Sequence, residues 1–326
     1  MRQKIFEKPI VFVSKCLEHG HCRYDGSQIN SHEIRRLTAY VDFIYDCPEM
    51  AIGLPSPREA LRKIKTNQGE RLVQSVSGTD MTEAMVAYVE EKTQELLRLD
   101  VDGMILKSRS PSCGIKDVKI YPSHGKVPSL GKHAKGMFAE GVQMAFQDIL
   151  IEDEGRLTNY RIRDHFLSHI FTRADFRKVR GEGKIQDLIA FHSRNKYLFM
   201  AYNQKELKVM GKIVANHEKN PWEQLVDEYG QHLALLLKAM PPSKRYVNVM
   251  MHILGYFSKQ LTANEKAGFL DLLEQFNNQQ IPASAVMSVL KLWTVRFEEA
   301  YLLDQTIFEP FPKELITVSD SGKGRI

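Results

Sequence analysis

The chain has no cysteine beyond residue 113, no C-x-x-C pair and no apolar run long enough to cross a bilayer. Each absence narrows the possibilities. Without a late thiol, the region after Cys113 can supply neither a disulfide nor a thiolate ligand. Without close cysteine pairs, the sequence departs from the usual structural zinc site and from the ferredoxin-type run. The early apolar stretch from Ile10 to Val13 is too short for the core of an export signal. These features together lead us to expect a cytoplasmic protein with no membrane association, in a compartment that keeps thiols reduced.

What is present is a set of four cysteines confined to the first third of 326 residues. They occur in SKCLEHGHCRYDG (Cys16 and Cys22), DCPE (Cys47) and SRSPSCG (Cys113). In a reducing compartment, clustered thiols more often bind metal or do chemistry than form disulfides. The length allows two domains, and 43% hydrophobic with 26% charged residues is ordinary for a globular protein. The net charge of +5 permits a nucleic-acid partner without requiring one.

Periodicity divides the chain. Pro9 to Ser14, Tyr40 to Tyr45, Arg71 to Ser75, Val101 to Leu106 and Val118 to Tyr121 have the β-branched and aromatic content of short strands. Helical patterns fall over Glu33 to Thr38, Arg58 to Lys65, the stretch after Asp80, and Lys135 to Leu150. Asp80 is a candidate cap, with Glu83 placed for a capping box. This alternation predicts an α/β N-terminal domain with a mostly parallel sheet over residues 1–150. From Asn159 onward the periods are helical, over Ile185 to Tyr202, Pro221 to Met240, Ser243 to Gln260, Asn264 to Gln279 and Pro282 to Leu303. Residues 151–326 are therefore expected to form an all-α C-terminal domain, with the boundary in the charged stretch IEDEGRLTN.

Cys16, Cys47 and Cys113 each follow a predicted strand. In a parallel sheet, ligands bind beyond the carboxyl ends of the strands, so the three thiols can meet on one rim. Thiolates there select zinc, copper(I) or an iron–sulfur cluster. Three thiolates suit a cluster with one iron left open to a substrate atom. Cys22 is either a fourth ligand or a core thiol. A zinc-dependent hydrolase and a non-catalytic RNA-binding protein with a structural metal remain as other readings. Glu49 lies two residues from Cys47, and a glutamate in such a turn is usually solvated. Arg58 either binds substrate or pairs with an acid, and Asp25-Gly26 is a turn.

The strings VSKCLEHGHCRYDG, DCPEMAIGLPSPRE, VSGTDMT and ILKSRSPSCG together resemble the thiouracil desulfurase family, over roughly Lys8 to Gln147. The second half, with IAFHSRNKYLFMAYN and PPSKRYVNVMMHILGYFSKQL, resembles a helical domain often fused behind it. The resemblance implies a [4Fe-4S] cluster held by Cys16, Cys47 and Cys113, with Cys22 left open as a ligand. It implies that Glu49 is the acid/base, assisted by a hydroxyl of the LKSRSPSCG loop, Ser108 first and Ser110 second. Lys107 and Arg109 stabilise an anionic intermediate or contact phosphate. The turn CLEHGHC departs from the more apolar turn of relatives at Glu18. The combination of domains implies removal of sulfur from 4-thiouridine in transfer RNA or RNA fragments. A free thiouracil or thionucleoside, a small thiolated pyrimidine, is the alternative substrate.

Two basic stretches bear on the partner. One holds Arg156, Arg161, Arg163, Arg173, Arg177, Lys178, Arg180 and Lys184, interleaved with Tyr160, His165, Phe166, Phe171 and Phe176. That mixture suits phosphate contact and base stacking. The other is Pro241 to Tyr246, at a predicted helix start.

Overall fold

The computed structural model describes residues 4–216 and 218–317. They fall into two compact units. The first runs to Ala174 and regains the chain from Glu314, and the second is Asp175–Lys313.

The first unit is built on a parallel sheet. Its central strand, β1 (Ile10–Ser14), has Val11, Phe12 and Val13 fully buried, which is why a β-branched run of this length sits in the middle and not at an edge. Helix α1 (His32–Leu37) leads to β2 (Asp42–Asp46), and α2 (Pro48–Ala51) follows at once. A hairpin comes next, β3 (Leu61–Thr66) and β4 (Gly69–Gln74), then the long helix α3 (Thr82–Arg98). Strand β5 (Gly103–Leu106) precedes two short strands, β6 (Val118–Tyr121) and β7 (His133–Ala134). Helix α4 (Met137–Ala145) and strand β8 (Leu150–Asp153) complete the α/β part. The first sheet has the order β2-β1-β5-β8 with every pair parallel, so all four carboxyl ends share one rim. Register sets the level of that rim, with Ser14 opposite Asp46 and Leu106 opposite Asp153. Phe12, Met104, Leu106, Phe138 and Val142 pack the core on one face.

The sequence did not lead us to expect the second sheet, of order β4-β3-β6-β7. Arg58 to Lys65, expected as a helix, is mostly β3. Its pattern misleads because Lys63 points inward. That lysine is 2% exposed and is held by Glu70 at 2.6 Å and the Lys135 carbonyl at 2.8 Å. Lys135 to Leu150 is also not one helix, because α4 ends at Ala145 and the chain enters β8 at Leu150. The charged stretch expected to hold the domain boundary thus contains a strand of the first sheet. Asp80 does accept the Thr82 N–H at 2.8 Å, but Glu83 bonds Arg71 and forms no capping box.

From α5 (Tyr160–Glu182) onward the chain is helical. There follow α6 (Ile185–Arg194), α7 (Lys196–Tyr202), α8 (Gln204–Ala215), α9 (Trp222–Leu237), α10 (Ser243–Phe257), α11 (Ala263–Asn277), α12 (Ala283–Arg296) and α13 (Ala300–Leu303). Asn195 interrupts the expected helix between α6 and α7. The second unit's core is aromatic, with Phe191, Phe199, Tyr229, Phe257, Phe269 and Trp293 in contact.

The first basic stretch lies mostly on α5, and the structure separates its parts. Phe166, Phe171 and Phe176 are buried and present no faces for base stacking. Arg163 is buried, bonded to the carbonyls of Leu157 and Thr158 and to Glu33. Arg156 pairs with Glu152 and Arg173 with Asp148. Lys178, Arg180 and Lys184 are exposed.

Candidate functional site

A cavity of about 390 Å³ opens at the carboxyl rim of the first sheet. All four cysteines line it, together with Ser14, Asp46, Glu49, Arg58, Lys107, Ser108, Arg109 and Ser110. The topology explains the convergence. Cys16 lies just past β1, Cys47 lies just past β2 at the N-cap position of α2, and Cys113 lies in the loop after β5. Cys22 is in the same turn region as Cys16. It reaches the cavity because the chain folds back there, with the Glu18 N–H on the Ile29 carbonyl and the Ile29 N–H on the Cys16 carbonyl.

The thiols influence one another. Contact with Cys16 and burial push the Cys22 thiol up to about 11, although a hydrogen bond with Cys47 works the other way. Cys47 is raised further, by Cys22 and by burial. Burial is the main cause for Cys113, and a hydrogen bond with Ser14 opposes it. Cys113 is held by its N–H on Ser110 Oγ at 3.1 Å. The Cys47 N–H donates to Asp46 at 2.7 Å, and Asp46 in turn takes Tyr88 and Lys92 at 3.0 Å each. Burial works against the charged form of Asp46. Lys92, the Cys47 N–H and Tyr88 outweigh it and hold the carboxyl below its ordinary range.

Glu49 is buried beside the thiols. Its Oε2 accepts two hydrogen bonds from Arg58, from Nε at 2.9 Å and Nη2 at 2.6 Å. Its Oε1 accepts the Ser112 hydroxyl at 2.9 Å. A carboxylate oxygen has about two acceptor positions. Oε2 is therefore full, and Oε1 keeps one for a further donor. Arg58 thus pairs with an acid, and it also holds the Cys22 carbonyl at 2.9 Å.

On the other wall, Lys107 directs its ammonium to the Ser108 carbonyl at 3.0 Å, to Ser108 Oγ at 2.9 Å and to Glu154. Those three contacts use all three of its hydrogens. Lys107 therefore has none left for a phosphate in this arrangement. Glu154 also accepts the Ser108 N–H at 2.8 Å and the Ser108 hydroxyl at 2.7 Å. Ser110 shapes its loop, its Oγ accepting the N–H groups of Ser112 at 3.2 Å and Cys113 at 3.1 Å. Arg109 has a left-handed backbone at φ 57° and lines the cavity.

Glu18 does not line the cavity. At φ 69° it turns its carboxylate to the Ser31 N–H and to Arg35 at 3.0 Å, tying the thiol turn to the start of α1. Burial works against this carboxylate, and the Arg35 and Ser31 bonds outweigh it, holding it below its ordinary range. The sequence reading missed Ser112 and Glu154. Ser112 precedes a proposed ligand, and Glu154 is the residue after Asp153, which pairs with Leu106.

The donor set suits an iron–sulfur group, since soft sulfur ligands from three separate loops line one cavity. Among the described residues, no three His, Cys, Asp or Glu side chains are gathered as ligands of a single metal ion. Among them, too, no helix is long and apolar enough to cross a membrane.

Residues 11–154 match the 2-thiouracil desulfurase family, and residues 196–312 match a family described as a protein of unknown function, DUF1722. YbbK of Bacillus subtilis (strain 168), an uncharacterized protein, is 32% identical over 110 residues, covering 32% of this chain and 73% of YbbK. The chain belongs to the 2-thiouracil desulfurase family and carries a DUF1722 region behind that domain. YbgA of Escherichia coli (strain K12), also uncharacterized, is 27% identical over 164 residues, which is 50% of this chain and 96% of YbgA. A solved structure, the [4Fe-4S]-dependent thiouracil desulfidase TudS, is similar at 28% identity and a TM-score of 0.38, covering 46% of this chain and 93% of TudS.

Proposed function

We propose that this protein is a [4Fe-4S]-dependent, non-redox desulfidase that converts 4-thiouridine, in transfer RNA or RNA fragments, to uridine. The observation that carries the reading is the buried Glu49 on the wall that four converging thiols share. Cys16, Cys47 and Cys113 hold the cluster, and Cys22 lies against the thiols of Cys16 and Cys47. When bound, a cluster with one iron lacking a protein ligand supplies a soft Lewis acid for departing sulfur.

The reaction exchanges one atom. Water forms a bond to the ring carbon, the carbon–sulfur bond breaks, and the sulfur leaves as hydrogen sulfide. No electron is gained or lost. Glu49 takes a proton from water at the open position of Oε1 and returns it to the departing sulfur, and the second proton of the water follows the same route as the C=O bond forms, so both end on the sulfide. Arg58 and Ser112 fix that carboxylate, so its open lone pair has one direction. Ser108 assists from the facing wall, while Ser110 sets the loop that carries Cys113. Small-molecule sites enclose about 300–1,000 Å³, so this cavity takes a base or nucleoside. That fits a flipped-out residue of RNA and equally a free thiouracil. The net charge of +5 and the exposed Lys178, Arg180 and Lys184 favour the polyanion. Free ligand thiols require a reducing compartment, the cytoplasm.

The test is anaerobic reconstitution, followed by incubation with thiolated transfer RNA, 4-thiouridine and 2-thiouracil in parallel. Loss of the near-ultraviolet absorbance of 4-thiouridine, with one sulfide released per base, is expected, and faster on transfer RNA. A reconstituted protein that leaves all three unchanged overturns the proposal.

A further inference from the structure

The facing wall of the cavity has a hydrogen-bond polarity that can be worked out atom by atom. Parallel register pairs Leu106 with Asp153, so the next residues along, Lys107 and Glu154, meet above the rim. Glu154 is 13% exposed at its side chain, and Lys107 is 17%. A carboxylate can only accept hydrogens, and an ammonium can only donate them. The Ser108 hydroxyl, 2.7 Å from Glu154 and 2.9 Å from Lys107 Nζ, therefore donates its one hydrogen to Glu154. One of its two lone pairs receives Lys107, and the remaining lone pair is the only hydrogen-bonding capacity left to the hydroxyl. Glu154 also holds the Ser108 N–H at 2.8 Å, so the backbone cannot swing the hydroxyl away without losing a second bond.

We infer that Glu154 is a positioning residue that makes Ser108 an acceptor-only group, and that Ser108 thereby selects pyrimidines with a ring N–H beside the reacting carbon. This rests on the desulfidase reading and names its substrate class. A thiolactam such as 4-thiouridine or 2-thiouracil has an N–H adjacent to C=S. In 2-thiocytidine the corresponding nitrogen carries a lone pair, which would face the lone pair of Ser108. An N3-methylated base leaves the remaining lone pair of Ser108 unfilled and sets a methyl group against it, which loses the hydrogen bond that the N–H would make.

The test reads binding in cluster-free protein, so it does not depend on turnover. The probes are uridine, which is the reaction product, 3-methyluridine and cytidine, titrated by calorimetry. Wild type is expected to bind uridine at least tenfold more tightly than either of the others. Ser108→Ala is expected to reduce that gap to within twofold. Glu154→Gln replaces one accepting oxygen with a donor and frees the hydroxyl to turn, so the gap falls below threefold.

In reconstituted protein, 4-thiouridine is expected to lose sulfur, whereas 3-methyl-4-thiouridine and 2-thiocytidine keep theirs. Equal binding of uridine and 3-methyluridine by wild type overturns the inference. So does a lack of uridine binding, or a gap that survives in Ser108→Ala. A gap that survives in Glu154→Gln removes Glu154 from the role. If uridine is selected but reconstituted protein releases no sulfide, the desulfidase reading fails and the N–H preference stands.

Discussion

Two glutamates flank the cavity, and each is held by one cation and one serine. Glu49 has Arg58 and Ser112, and Glu154 has Lys107 and Ser108. The difference lies in which carboxylate reaches the cavity, since Glu49 is among its lining residues and Glu154 is not. Arg58 places two donors on one oxygen of Glu49, so the other oxygen keeps an open position. Glu154 receives Lys107 and Ser108 Oγ on one oxygen and the Ser108 N–H on the other. By the same count its Oε2 also keeps one open position. A glutamate, a cation and a serine thus give one carboxylate at the cavity, suited to moving a proton, and one outside its lining, suited to holding a neighbour. Access to the cavity separates these roles where neither residue identity nor the number of filled lone pairs does.

Breaking the floor common to both walls should have the largest effect. Cys47→Ala should abolish cluster binding and all turnover, read as iron and sulfide content after reconstitution. Full cluster content in that variant would remove Cys47 from the ligand set. Next comes Glu49→Gln, which keeps the shape and removes the base. Its kcat should fall by about 10² or more with cluster content unchanged, the usual size of a general acid–base contribution. A kcat within a few-fold of wild type would transfer the proton chemistry elsewhere.

Arg58→Ala tests whether the ion pair only neutralises Glu49 or also supports the fold. Both side chains are largely buried, at 3% and 12% exposure. Leaving one buried charge alone costs about 3–5 kcal/mol, so the denaturation midpoint should drop clearly. An unchanged midpoint would show that Glu49 finds water or another donor. The smallest effect is expected from Ser112→Ala. Losing one buried hydrogen bond costs about 1 kcal/mol. Activity should fall by several-fold, because Oε1 loses the donor that orients it. Activity equal to wild type would show that Arg58 alone sets the carboxylate.

Much of this site was legible in the sequence because its chemistry follows the strands. A short β-branched run followed by a thiol places Cys16, Cys47 and Cys113 at strand ends, and a parallel sheet puts strand ends together. Glu49 was legible for the same reason, two residues past Cys47. Glu154 was not, because the strand before it reads LIED, and Glu152 and Asp153 look like a solvated linker. They are buried beside Arg156, and that contact is invisible to hydropathy. The hairpin β3–β4 was misread for a similar reason. A lysine at position 63 suggests an exposed helical face, but Glu70 and a carbonyl draw it inward. Ser112 illustrates the reverse limit, since nothing along SRSPSCG says which serine faces a residue 63 positions away. The phenylalanines of α5 fell inside the core, where helical spacing generally sends them.

The loop that carries Cys113 has one further property. The Gly136 N–H bonds the Gly114 carbonyl at 2.7 Å, and a Cβ on Gly136 would lie 2.4 Å from the Ser112 carbonyl oxygen. A Cβ on Gly114 would lie 2.6 Å from Val118 Cγ2 and 2.7 Å from the Ser110 carbonyl oxygen. At Gly136 two backbones are in bare contact, with no side chain between them to yield. The Cys113 loop therefore behaves as the fixed jaw of a vice. Any give needed to admit a bulky inorganic group falls to the opposite jaw, the turn from Cys16 to Cys22. Hydrogen exchange on loading should change across that turn and leave the Cys113 loop as it was.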